Sequence, residues 1–358
     1  MIKFLDLSIP DNDLNKYLET FEDVLKSGIY LNGSWNLRFQ DDFSSISNRK
    51  YNIGVSNGLD GLTLALRAAG IGPGDSVIVP SITYIATWLA VSNVGAKIIP
   101  VEPKHGCYTI SGSDIEEALD PSVKCILPVH LYGIPCDIGS IKKIAGSEII
   151  IIEDSAQAHG TIHHEESINF PRTEVYSFYP GKTLGAFGDA GAVSTDNKNL
   201  SQKVIELGNY GSLEKYVHNK KGLNCRLDEM QAAILCIKIK ELNQVIKHRR
   251  LIASIYNETI KNNIVTIRKD MKNMNSSFHL YCIESNQRSL IAEKLLSKSV
   301  NTGHHYPTAI HKQQAYSEFK NAELPWAEYY AGVTLSLPIG PHISVEDAEY
   351  ISNVINNI

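Results

Sequence analysis

The stretch "SVIVPSITYIATWLAVSNVGAKIIPVEP", residues 76–103, decides the fold class. It reads as strand, helix, strand: "SVIVPSIT", then "YIATWLAVSNVG" closed by Gly95, then "AKIIPVEP". The same rhythm extends on both sides. "YNIGVSNG" (51–58) is a short strand running into a turn, and "LDGLTLALRAAGI" (59–71) is a helix. Downstream come a short helix at "DIEEALD" (114–120), a strand at "VKCILPVHLYG" (123–133) and a helix at "DIGSIKKIAG" (137–146). The most apolar strand, "EIIIIEDSA" (148–156), follows. Strands that are apolar throughout and alternate with helices predict a parallel sheet covered on both faces, a doubly wound α/β layout.

After Ser177 the rhythm changes. "AGAVST" (190–195) is a short strand, and a long helical stretch runs from about Leu227 to Ile255. From about residue 265 the periods shorten to "SSFHLYCIES", "RSLIAEKLLSKS" and "HISVEDAEYISNVI". The expectation is a large α/β domain over 1–245, with an N-terminal arm, and a smaller α+β domain over 246–358.

Composition narrows the function. The 358 residues are 43% hydrophobic and 20% charged, with a formal net charge of −5 and no Lys/Arg block. Nucleic acid and anionic membrane are therefore not expected partners. No secretory signal is visible in "MIKFLDLSIPDNDL", and no apolar run approaches the roughly 20 residues of a membrane span, so a cytoplasmic location is expected. The six cysteines form no CxxC pair and read as reduced thiols. His163–His164 and His304–His305 are adjacent pairs whose side chains diverge on a strand, and no metal is expected.

Three motifs fall at strand ends, where open α/β sheets bind ligands. "SNGLDG" (56–61) is a turn at a helix start, able to offer backbone N–H groups to a phosphate or simply to begin a helix on Asp60. "EDSAQAHG" (153–160) puts Asp154 at the end of a buried strand, where a carboxylate needs a cation or several donors; capping a helix is the other reading. "SFYPGKTLGAFGDAGAV" (177–193) sets one lysine, Lys182, among glycines and small residues. A nucleophilic lysine needs desolvation or nearby positive charge, and this apolar stretch supplies the former. A buried carboxylate and a buried lysine have a joint use in holding pyridoxal phosphate, which also needs an anion pocket and an aromatic face such as Tyr84. No GxGxxG follows the first strand, against a dinucleotide dehydrogenase.

"SNGLDGLTLAL", "GDSVIVPSITYIATWLAVSNVGA", "IIEDSAQAHG", "SFYPGKTLGAFGDAGAV" and "GLNCRLDEMQAAIL" occur in order. The chain thereby resembles the DegT/DnrJ/EryC1/StrS family of pyridoxal-phosphate nucleotide-sugar aminotransferases over nearly its full length. The resemblance implies the type I, aspartate-aminotransferase-like fold, with a mostly parallel sheet and a smaller α+β domain. It implies that Lys182 bonds the cofactor, Asp154 pairs with its ring nitrogen, Gln157 with its ring hydroxyl, and Tyr84 stacks on the ring. Ser177 and the backbone at Gly58, Leu59 and Asp60 would take the phosphate, with Asn224 reaching it from a second subunit of an obligate homodimer. Tyr306 and His311 in "HHYPTAIHKQQAY" (304–316), with Tyr30, His159 and Tyr179, would lie near the sugar; aromatic packing is the alternative for Tyr306 and His311.

Many members of the family have Ser-Gly-Thr where this chain has Asn57-Gly58-Leu59, which removes one hydroxyl from the phosphate cup. The Gly-Leu-Asp version, "FLDL" and "SGIYLNG" are similar to the branch that aminates the 3-keto group of dTDP-linked 6-deoxyhexoses. The implied reaction takes the amino group from L-glutamate, for surface-glycan (lipopolysaccharide or O-antigen) sugars. A 4-keto aminotransferase on a dTDP- or UDP-sugar is the alternative. The family's dehydratases carry histidine in place of the lysine, and Lys182 argues against them. A non-catalytic regulator would show damaged catalytic positions, and none is visible.

Overall fold

The computed structural model describes residues 1–104, 106–163 and 170–358. Its first strands are β1 (Tyr51–Val55), β2 (Ser76–Pro80), β3 (Lys97–Val101) and β4 (Val123–Ile126). They are followed by β5 (Ile150–Ile151), β6 (Glu153–Asp154), β7 (Thr173–Ser177) and β8 (Gly191–Thr195). Two four-stranded sheets run β3-β2-β4-β5 and β6-β7-β8-β1. β5 and β6 are separated only by Ile152, whose N–H donates to Ile126 O at 3.1 Å, while Asp154 N donates to Pro128 O at 2.8 Å. The ladder is therefore continuous, and the two sheets act as one.

Pairing is parallel for β3-β2, β2-β4, β4-β5 and β6-β7, as the alternating apolar strands require. β8 departs from this. It inserts between β7 and β1 and runs antiparallel to both. The C-terminal ends of β1, β2, β6 and β7 consequently meet at one edge of the sheet.

Local chemistry fixes the helices that follow these ends. Asn57 caps the helix Gly58–Ala68 by accepting from Asp60 N at 2.9 Å. After β2 the helix Ala86–Asn93 buries one face, Thr87, Trp88, Ala90 and Val91, and Gly95, at φ 74°, turns the chain out of it in a region that favours glycine. Trp88 is fully buried, and its Nε1 donates to Pro80 O at 3.0 Å, pinning that helix to the end of β2. The helices Asp11–Ser27 and Ser34–Ser47 pack against the helix Glu229–Ile239. The helical stretch expected from about Leu227 to Ile255 is two helices, Glu229–Ile239 and Leu242–Thr259.

A second core gathers β9 (Tyr281–Glu284) and β10 (Thr334–Leu337), an antiparallel pair, with residues of the helices Arg288–Ser297, Pro325–Val333 and Val345–Asn356. Ile252, Ala253 and Tyr256 join it, so the helix Leu242–Thr259 passes unbroken through position 245 and its later turns belong to this core. No helix among the described residues is long and apolar enough to cross a membrane. The six cysteines are free thiols, five of them buried.

Trp88→Ala removes a fully buried indole that also touches the rings of Tyr316 and Phe319. It is expected to cost about 3–5 kcal/mol in denaturant-induced unfolding; a midpoint equal to that of the parent would contradict this packing.

Candidate active site

Asp154 closes β6 and is 5% exposed. One carboxylate oxygen accepts from Thr87 Oγ1 at 2.8 Å and the other from Ala156 N at 3.1 Å. Burial pushes its pKa up; those two bonds and the charge of Lys182 pull it back.

Lys182 leaves the end of β7 in a tight loop. Its N–H donates to Tyr179 O at 2.8 Å, and Ala186 N returns to Phe178 O at 2.8 Å. A Cβ on Gly185 would lie 2.4 Å from Pro180 O, so the loop can fold back only on glycine. Two side chains of the helix Glu229–Ile239 tie it down: Lys238 Nζ donates to Gly185 O at 2.7 Å, and Gln231 Oε1 accepts from Phe187 N at 2.9 Å. Among the described residues Lys182 Nζ has no hydrogen bond and no ion pair within 4 Å. Burial lowers its pKa to about 8, with Asp154 opposing the shift.

Both groups line a cavity of about 600 Å³. Gly58, Leu59 and Ser177 form one wall of it. A Cβ on Gly58 would sit 2.8 Å from Ser177 Cβ, so this close approach needs glycine. Tyr84 and Tyr306 form another wall, their ring centroids 5.4 Å apart and tilted by 38°. Gln157 is fixed between them and the sheet: its Oε1 accepts from Tyr132 N at 2.8 Å, and its Nε2 donates to Tyr306 Oη at 3.1 Å. Tyr179, 56% exposed, stands at the mouth. A second cavity of about 450 Å³ shares Tyr84 and Tyr306 and extends along Pro307 and Gln314.

Four expected residues, Asp60, His159, His311 and Tyr30, fall elsewhere. Asp60 does not line the cavity: its amide is spent on Asn57 Oδ1, and its carboxylate accepts from Ser56 Oγ and, at 2.9 Å, from Asn57 Nδ2. The free amides at this helix start are those of Gly58 and Leu59. His159 is fully buried among the rings of Tyr176 and Phe178, behind β7, and cannot meet a sugar hydroxyl. Burial and the charge of Lys182 push its pKa down to about 3, so the ring is neutral. His311 is likewise buried, its Nε2 3.2 Å from Glu328 Oε1. Tyr30 and Asn224 are exposed and lie outside the cavity of their own chain.

Residues given no site role from the sequence also line the cavity: Phe4 and Leu5 from the N-terminal segment, Asp189, Arg249, His279 and His305. His130, His163 and Glu174 place ligand atoms within 4.8 Å of one another. Both ring nitrogens of His130 are already engaged, by Glu153 Oε2 at 2.9 Å and Cys136 N at 3.0 Å. Glu174 is held by Arg49 and Arg172, so the group is part of an ion-pair network. His164 lies outside the described residues.

These donors fit pyridoxal phosphate. Asp154 is a buried carboxylate that, among the described residues, has no cation in hydrogen-bonding contact, which suits a protonated ring nitrogen. Lys182 offers an unpaired amine to the aldehyde, the Gly58–Ser177 wall would take the phosphate, and Tyr84 presents a ring face. When bound, that group supplies an electron sink for a carbanion at the carbon bearing the amino group.

The rate at which cofactor-free protein combines with pyridoxal phosphate is expected to rise with pH through a midpoint near 8, because only the neutral amine of Lys182 reacts. In Asp154→Asn the midpoint should fall, since the carboxylate that favours the charged amine is gone. A midpoint above 10, as for a solvated lysine, would contradict the burial of Lys182.

Residues 12–356 match the model of the DegT/DnrJ/EryC1/StrS aminotransferase family. The dTDP-3-amino-3,6-dideoxy-alpha-D-galactopyranose transaminase of Aneurinibacillus thermoaerophilus is 42% identical, over 99% of each chain. The crystal structure of S. venezuelae DesV, in complex with a ketimine intermediate, superposes with a TM-score of 0.93 at 37% identity, covering 99% of this chain and 98% of that one. NtdA from Bacillus subtilis, solved with bound cofactor PMP, gives 0.89 at 29% identity over 98% of this chain and 82% of that one. With Lys182 and Asp154 in place on the type I fold, the chain belongs to the DegT/DnrJ/EryC1/StrS aminotransferase family and is a pyridoxal-phosphate-dependent aminotransferase.

Proposed function

We propose that the chain transfers the amino group of L-glutamate to C3 of a dTDP-linked 3-keto-6-deoxyhexose, giving a 3-amino-3,6-dideoxyhexose. The observation that carries the reading is an unpaired Lys182 amine beside Asp154, in a cavity that continues past Tyr84 and Tyr306 into a second one. An amino acid fills little of that combined space, whereas a nucleotide-linked hexose needs it, and its remote groups supply binding energy. The choice of C3 and of dTDP rests on the Asn57-Gly58-Leu59 start of the phosphate wall and on the 42% identity to a dTDP-sugar transaminase.

The chain's residues divide the work. Asp154 holds the ring nitrogen's proton. Lys182 Nζ, uncharged above about pH 8, takes the proton from the donor's α-carbon and returns one at the sugar carbon. Gln157 and Tyr306, bonded to each other, orient what lies between Tyr84 and the sheet. Tyr30 and Asn224, exposed on their own chain, would complete the site of a second copy in a two-fold homodimer.

The test supplies ¹⁵N-glutamate with 3-keto and 4-keto isomers of dTDP- and UDP-linked 6-deoxyhexoses, and locates the label by NMR. Label on C3 of the dTDP sugar is expected. Label on C4 would install the 4-keto reading, and loss of oxygen without label would make the chain a dehydratase.

A further inference from the structure

The loop that carries Lys182 closes on two local backbone bonds, Lys182 N to Tyr179 O and Ala186 N to Phe178 O. The polar groups around them, Gly185 O and Phe187 N, find their partners on a helix far along the chain. Lys238 Nζ donates to Gly185 O at 2.7 Å, and Gln231 Oε1 accepts from Phe187 N at 2.9 Å. Those two side chains stand two turns apart on the helix Glu229–Ile239, so a single face of it meets both groups. The fit is close: a Cβ on Gly188 would lie 3.2 Å from Gln231 Nε2. Lys238 is half-buried and, among the described residues, makes no other hydrogen bond and no ion pair. A lysine drawn out of water normally answers a carboxylate. This one answers a carbonyl of the Lys182 loop and the ring of Phe187, whose centroid is 4.5 Å from Nζ. Burial lowers its pKa to about 8; Glu241 opposes that shift, and Lys16, from the helix Asp11–Ser27, adds to it.

We propose that Lys238, together with Gln231, is a positioning residue for Lys182: the pair clamps the loop so that the amine stays in the cavity of Asp154 and short of water. This rests on Lys182 being the amine that bonds the cofactor. Gly185 admits no side chain, so the loop has no packing group of its own at that point. Its buried carbonyl would lose its partner if Lys238 could not donate. Residues 185–187 would then regain conformational freedom, and Lys182, three positions upstream, would move with them toward solvent. The charged and titratable groups that share the cavity lining with Lys182 include Asp154, Asp189, Arg249, His279 and His305, and changes at 231 or 238 leave all of them in place. The titration of the amine therefore reports how well the loop is held.

The test titrates Lys182 in the full chain without cofactor, by competitive acetylation across pH and mass spectrometry of the peptide containing residues 177–193. Burial puts the parent midpoint near 8. In Lys238→Met and in Gln231→Met it should rise by about one unit toward that of a solvated lysine, a roughly tenfold loss of reactive amine at pH 7. Lys238→Arg, which keeps a donor, should stay near the parent value. Gln231→Met removes no charge, so it separates a released loop from lost repulsion between two ammonium groups. It also carries the test if Lys238→Met fails to fold. Where both fold, a rise in only one of the Met variants, or in neither, overturns the proposal. Lys238→Arg titrating with Lys238→Met overturns it too, as does a lower melting temperature at an unchanged midpoint. Acetylation needs no cofactor, which keeps the two readings apart. Moved midpoints without a borohydride-trapped adduct at Lys182 would leave the clamp standing and remove the cofactor assignment; an adduct with unmoved midpoints would do the reverse.

Discussion

A buried carboxylate and a half-buried amine must coexist in one cavity without cancelling each other, and the rest of the site is arranged around that constraint. Burial drives each toward its neutral form, raising Asp154 and lowering Lys182 to about 8, while each favours the other's charge. Thr87 and the Ala156 amide hold Asp154 as an acceptor, and Lys182 is kept at a separate station by its own glycine-dependent loop. Parallel pairing of β6 with β7 makes this possible, since both strands deliver their ends to the same edge of the sheet.

The surroundings carry compatible charge. Behind the sheet, Glu153 and Glu174 are matched by Arg49, Arg172 and His130, so that network is internally paired. His279 in the cavity wall and His159 behind β7 are both held neutral by burial and by Lys182. Lys182 and Arg249 share the cavity lining with Asp154 and Asp189, two cations against two carboxylates.

Much of this was legible in the residues. Strand–helix alternation, Lys182 among glycines and Asp154 at the end of the most apolar strand leave local signatures, and Tyr84, Gln157, Ser177, Tyr179 and Tyr306 line the same cavity. What was not legible depends on partners distant in sequence. The antiparallel insertion of β8 is a pairing between elements far apart along the chain. His311 is claimed by Glu328, and Arg249 by carbonyls at 278, 279 and 339. His159 was misread because the turn after Asp154 sends Gln157 into the cavity and the histidine back beneath β7. Asp60 was misread because a side-chain cap from Asn57 competes for the amide that a phosphate would use.

The central claim is that Lys182 is the amine that bonds the cofactor. Incubation with pyridoxal phosphate, reduction with borohydride and peptide mapping test it most directly. A single reduced adduct on the peptide containing residues 177–193, at Lys182, is the expected result; an unmodified Lys182 with the adduct on another lysine, or no adduct at all, would contradict it.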